Sequence, residues 1–131
     1  MLILFPNLDG EPVAIETSSI LWLRTTLLAD EPKNTTMIRY EAKTYTVLYT
    51  PEKLVAVEAK LSPHIKLAKF TTPMDTPVTV SAARVNPVLP ATPTIDHPKA
   101  KAALILGAKR LAVRETVTEA QKLLNSAIGV A

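Results

Sequence analysis

Along the first half of this chain, apolar and polar residues alternate in short bursts, and turn chemistry bounds each burst. Leu2–Phe5 is an apolar run closed by Pro6; Asn7-Leu8-Asp9-Gly10 follows, and Pro12-Val13-Ala14-Ile15 returns. Glycine tolerates the positive φ of a tight hairpin, so this pattern predicts strand, turn, strand. Ile20–Leu28 is apolar on both faces and predicts a mostly buried strand. After a polar loop at 29–34, Thr35–Tyr40 and Thr44–Tyr49 flank the turn Glu41-Ala42-Lys43. Their β-branched and aromatic side chains predict a second hairpin. Thr50-Pro51-Glu52 then offers an N-cap, a proline for the first helical position and an acid near the positive dipole end. Leu54, Val57 and Leu61 follow at helical spacing, so a capping helix is expected over 51–61, stopped by Pro63.

The pattern changes after residue 62. From there to Pro98 the chain carries prolines at 63, 73, 77, 87, 90, 93 and 98 and no glycine. Each proline removes a backbone donor and biases its predecessor to extended geometry. An extended arm is expected over 63–98, with one further strand near Ile65–Phe70 and a β-favouring patch at Val78–Val80. Solvent disfavours an exposed apolar arm, so Ile65, Leu67, Phe70, Val78, Val80, Val88, Leu89 and Ile95 are expected to bind a partner. Asp96 reads as an N-cap, and the Ala-rich stretch from Lys99 favours helix. A basic amphipathic helix is therefore expected over 99–131, with Gly107 as a weak point. Leu106, Val113, Val117, Leu124 and Ile128 form its partner-binding stripe, and Lys109, Arg110 and Arg114 on the other flank are candidates for phosphate contact.

These readings give an α+β chain in three parts. A β-rich head at 1–62 is a small antiparallel sheet or half-open barrel with one capping helix; the arm at 63–98 and the helical tail at 99–131 follow. The length of 131 residues suits one small domain plus an appendage. A head of that size buries roughly 60% of its unfolded surface and gains from further contacts.

Charge sharpens the division. Residues 1–62 hold eight acids and six bases, the arm two acids and three bases, and the tail two acids and six bases. A basic tail suits an acidic protein surface or nucleic acid. Candidate chemistry is thin. The chain has no cysteine, which removes disulfides, thiolate metal sites and cysteine nucleophiles. His64 and His97 are far apart in sequence and each adjoins a proline. Asp9, Glu11 and Glu16 read as solvated turn residues, and Ser18-Ser19 has no neighbouring base. The three glycines, at 10, 107 and 129, are isolated, so no phosphate-cradling loop is present. No catalytic residue, cofactor or metal is expected. Nor is a membrane span expected, since no apolar run approaches about 18 residues.

The order strand, "LDGEPVAI", strand, polar loop, hairpin and "TPEKLVAVEAKL" helix resembles the small flagellar and swarming-motility proteins of the FlbD type over residues 1–61. The resemblance implies a hairpin, strands and a Ser/Thr-capped helix, and it implies no catalytic residue. Taken together, the expected function is non-enzymatic: a structural or assembly subunit of a virion, exemplified by a decorating or minor structural protein of a tailed bacteriophage. Its partners would be other protein subunits, including copies of itself. The alternative is a small cytoplasmic nucleic-acid-binding or flagellar-type regulatory protein using Lys109, Arg110 and Arg114.

Overall fold

The computed structural model describes residues 1–43 and 45–129. Thr44 of the expected second hairpin, and Val130 and Ala131 of the expected tail, lie outside the described residues. The chain is α+β with antiparallel sheets and a C-terminal helix, and among the described residues no sheet closes into a barrel. It divides into two compact units, Met1–Ile65 and Lys66–Ala131.

The first unit begins with β1 (Leu2–Pro6) and β2 (Pro12–Glu16), paired antiparallel from Leu2↔Glu16 to Pro6↔Pro12. The turn between them forms as the sequence requires. Asn7 Oδ1 accepts the N–H groups of Asp9 and Glu11, both at 2.9 Å, and Gly10 takes φ 82°. A 3-10 turn at Thr17–Ser19 leads into β3 (Ile20–Thr25), which pairs with β4 (Thr36–Glu41). β4 pairs in turn with β5 (Tyr45–Thr50). Helix α1 (Leu54–Leu61) closes the unit and buries Val57 and Leu61.

Two local expectations shift here. β3 ends at Thr25, not Leu28. The α1 N-cap is Lys53 with no side-chain cap bond, because Thr50 finishes β5. The Thr50–Glu52 corner uses its polar groups otherwise: Thr36 Oγ1 donates to the Glu52 carbonyl at 2.7 Å.

In the second unit the expected arm is paired and not free, and the expected tail is not a single helix. Residues 63–98 are largely extended, but the extension is laddered. β6 (Leu67–Thr71) pairs with β7 (Pro77–Ser81), and a 3-10 turn at Ala82–Arg84 leads to β8 (Val85–Pro90). The prolines sit where strands tolerate them: Pro77 opens β7, Pro90 ends β8, and Pro87 lies at the register shift between Val85 and Val88. Residues 99–131 are not one helix. β9 (Ala102–Leu106) and β10 (Lys109–Val113) form a hairpin turning at Gly107, φ 64°, and among the described residues of this stretch only α2 (Val117–Ile128) is helical. Alanine's helix propensity is small per residue, whereas Ala102, Ala103, Leu104 and Leu106 are completely buried as strand.

Helix α2 is well terminated. Thr116 Oγ1 accepts from Glu119 N–H, the Glu119 carboxylate accepts from Thr116 N–H, and Gly129 closes the helix in the left-handed region. Thr116→Ala is expected to cost about 1 kcal/mol, read from the urea midpoint.

Set side by side, the two units follow one plan. Each runs hairpin, 3-10 turn, three successive strands paired antiparallel in chain order, and helix. The first four elements recur at a constant spacing of 65 residues, so Leu2, Phe5, Pro12 and Val13 correspond to Leu67, Phe70, Pro77 and Val78. The turn recurs too. Thr72 Oγ1 accepts from Met74 and Thr76 N–H as Asn7 does from Asp9 and Glu11, and Asp75 takes positive φ where Gly10 does. The irregularity in the ladder also recurs, at Ile20/Trp22 and Val85/Val88. Corresponding side chains are buried: Phe5 and Phe70, Ile15 and Val80, Ile38 and Leu104, Val57 and Ala120, Leu61 and Leu124. We call these units module one and module two.

Candidate functional site: pinned loops and exposed apolar residues

In both modules the loop after the third strand is tied down by a carboxylate and an arginine. In module one, Glu31 accepts a two-pronged pair from Arg24, 2.9 Å on each arm, and its Oε1 also takes the N–H groups of Leu27 at 2.9 Å and Leu28 at 3.0 Å. The Glu31 side chain is 5% exposed. Hydrogen bonding to Arg24 outweighs desolvation and lowers its pKa to about 2. Burial, helped by the nearby Glu31 charge, pushes the Tyr49 hydroxyl pKa up.

In module two, Asp96 stands 65 residues after Glu31 and does the same work. It accepts Arg110 Nε at 2.9 Å and Nη2 at 2.7 Å, and takes the N–H of Thr92 at 2.7 Å. Its side chain is 3% exposed, and the Arg110 hydrogen bond holds its pKa below the usual carboxylate range. The expected role of Asp96 as a helix N-cap is thus replaced by capping of the 92–96 loop. The arginine comes from β3 in one module and from β10 in the other.

These ion pairs hold apolar loop residues in water. Leu27 and Leu28 are 53% and 59% exposed, and Ile95 is 68% exposed. Module one also exposes Met1, Leu2, Leu4 and Leu8 along its first hairpin, and Val55 on α1.

The other expected partner-binding residues divide. Phe70, Val78 and Val80 of the arm, and Leu106, Val113 and Leu124 of the tail stripe, are buried and belong to the packing of the fold. Ile65, Leu67, Val88 and Val117 are half-buried, whereas Leu89, Ile95 and Ile128 are exposed. Val88, Val117, Leu124 and Ile128 line a shallow cleft of about 410 Å³ in module two. The expected tail stripe meets the expected arm in the ladder as well, where Leu106 pairs with Val85.

The basic trio is on or just after β10, not on a helix. Arg110 is engaged by Asp96, and Arg114 pairs with Asp75 while its N–H donates to the Thr71 carbonyl at 2.8 Å. Lys109 is half-buried. Glu115, beside them, takes the Thr71 N–H on both carboxylate oxygens at 3.0 and 3.1 Å. The equivalent position to Thr71 in module one is Pro6, which has no N–H to give. Glu52, the counterpart of Glu115, instead pairs with Lys60 at 2.7 Å, and Lys60 reaches the Leu4 carbonyl at 3.2 Å. Each module thereby ties its first strand to the corner before its helix by a different bond.

Among the described residues no group of three His, Asp or Glu side chains is placed to hold a metal, and no helix is long and apolar enough to cross a membrane. Sequence reasoning missed the module repeat and the two pinned loops. The recurrence of Leu-x-x-Phe and Pro-Val at a fixed spacing was the available signal for the first. No protein family, curated protein or solved structure matches this chain in comparison.

Proposed function

We propose that the chain is a non-enzymatic structural or assembly subunit whose two modules present rigid apolar loops to other protein subunits. The setting we propose is a virion, with a tailed-bacteriophage particle as the example. The observation that carries this reading is the pairing of a buried carboxylate–arginine clamp with solvent-facing Leu27 and Leu28 in one module, and with Ile95 in the other. A preordered apolar loop loses little conformational entropy on docking, so more of its contact free energy appears as affinity. Two such loops on one chain reinforce each other when both engage. Engagement of Arg110 and Arg114 by acids of their own module favours a protein partner over nucleic acid for this surface.

The test replaces the loop tips and leaves the clamps intact. Full-length chain carrying Leu27→Ser, Leu28→Ser and Ile95→Ser is expected to keep its circular-dichroism spectrum while its incorporation into assembling particles falls at least tenfold. Incorporation at the wild-type level would overturn the reading.

A further inference from the structure

The two modules differ in which strand edges are closed over. In module one, Asn7 N–H bonds to the Glu11 carbonyl and Thr17 N–H to the Met1 carbonyl, with Phe5↔Val13 and Ile3↔Ile15 between them. That parity aims the backbone groups of Val13, Ile15 and Thr17 at β1 and those of Ala14 and Glu16 away from it. In module two the bonds Thr72 to Thr76 and Ala82 to Lys66 set the same parity, so Thr79 and Ser81 turn away from β6. Yet Thr79 is 0% and Ser81 3% exposed, while Ala14 is exposed and Glu16 half-exposed.

For the third strand the asymmetry reverses. Ile20, Leu21 and Leu23 of β3 are all 0% exposed, whereas Asn86, Pro87, Leu89 and Pro90 of β8 are exposed. The bond from Ala91 N–H to the Lys101 carbonyl directs Leu89 toward β9, so Val88 presents its N–H and C=O outward. A second-strand edge is therefore open in module one and a third-strand edge is open in module two. Their counterparts in the other module are buried.

We propose that these two open edges recognise each other on different copies of this chain, β2 of one copy adding to β8 of the next in a head-to-tail contact. Charge supports a second copy as the occupant. Residues 1–65 carry eight acids against six bases, and residues 66–131 carry nine bases against four acids, so unlike modules attract. A heterologous contact of this kind builds a closed ring or a filament. Pro12 and Pro90 lack the donors that would lengthen the ladder, and Ser19 Oγ already donates to the Glu16 carbonyl at 2.6 Å, which confines the contact to Ala14, the Glu16 N–H and Val88. Association is consequently weak per contact and depends on concentration.

The inference rests on the reading of the chain as an assembly subunit, and the experiment separates the two. Sedimentation of the purified full-length chain is expected to show a mass that rises with concentration. Ala14→Pro and Val88→Pro each delete one outward N–H that no ladder within its own module uses, and each variant alone is expected to sediment as a monomer. Mixed in equal amounts, they retain one good edge apiece and are expected to form a dimer and stop there. If circular dichroism shows that a proline variant has lost its fold, Ala14→Lys and Asn86→Lys replace the pair: each edge is blocked by a cation and the two blocked edges repel each other in the mixture, so the same pattern is expected. A wild-type chain that is monomeric throughout, a single variant that still associates, or a mixture that stays monomeric would each overturn the proposal. A monomeric chain that still enters particles overturns self-association alone; a self-associating chain that enters none overturns the particle reading alone.

Discussion

Phe70→Ala lowers the stability of the chain by about 3–5 kcal/mol, measured as a shift of the urea unfolding curve at unchanged slope. As part of an extended arm, Phe70 would lose only partner contacts on truncation, and the isolated chain would unfold as before. The structure puts the ring at 2% exposure on β6, opposite Val78, at the position Phe5 occupies in module one. Removing a buried ring forfeits its transfer free energy and leaves a cavity that neighbouring strands fill only in part. Ile95→Ala, at 68% exposure, is the control from the same expected arm and should stay within about 0.5 kcal/mol. Equal small effects at both positions would refute the placement of Phe70.

Acid weakens the fold through Glu31, and Glu31→Gln removes that limb of the pH profile. The folded pKa of about 2 lies below the ordinary 4.5, so ionised Glu31 contributes stability that is fully present above pH 4.5. That contribution is lost as pH falls from 4.5 toward 2. The displacement corresponds to about 3 kcal/mol at neutral pH, and the side chain is buried enough for solvent screening to remove little of it. Glu31→Gln also leaves the half-buried Arg24 without its counter-charge, a loss of about 3–5 kcal/mol for a broken buried pair. Urea titrations at pH 7 and pH 3 on both proteins check this. The wild type should lose much more stability than the variant between the two pH values. Parallel losses would show that the carboxylate is not held as described. Asp96 acts with the same sign in module two, where its hydrogen bond to Arg110 lowers its pKa.

The clamps connect stability to the proposed role. A protein that buries a carboxylate to fix a loop, yet leaves leucine and isoleucine at its tip in water, commits stability to presentation and not to enclosure. The repeated plan places such a loop in each module with a different arginine donor. The geometry is therefore shared even though the residues that produce it are not.

Much of module one was legible in its residues. Asp-Gly flanked by apolar runs specifies a tight hairpin through the φ that glycine permits, and strict alternation with β-branched residues specifies paired strands. Module two was legible only in pieces, chiefly Ile65–Phe70 and Val78–Val80. Its prolines read as an unpaired arm because a donor's absence is visible in sequence, whereas the edge or ladder break that makes it harmless is not. The stretch from Lys99 to Val113 read as helix because local propensity favours alanine there. Tertiary burial of Ala102 to Leu106 outweighs that propensity and made the stretch strand instead. Local chemistry by itself settled the first hairpin turn, the α+β class and the presence of a helix near the C-terminal end, but not where that helix begins. Long-range packing alone decided which apolar side chains became core, and brought Asp96 to Arg110 across 14 residues of chain.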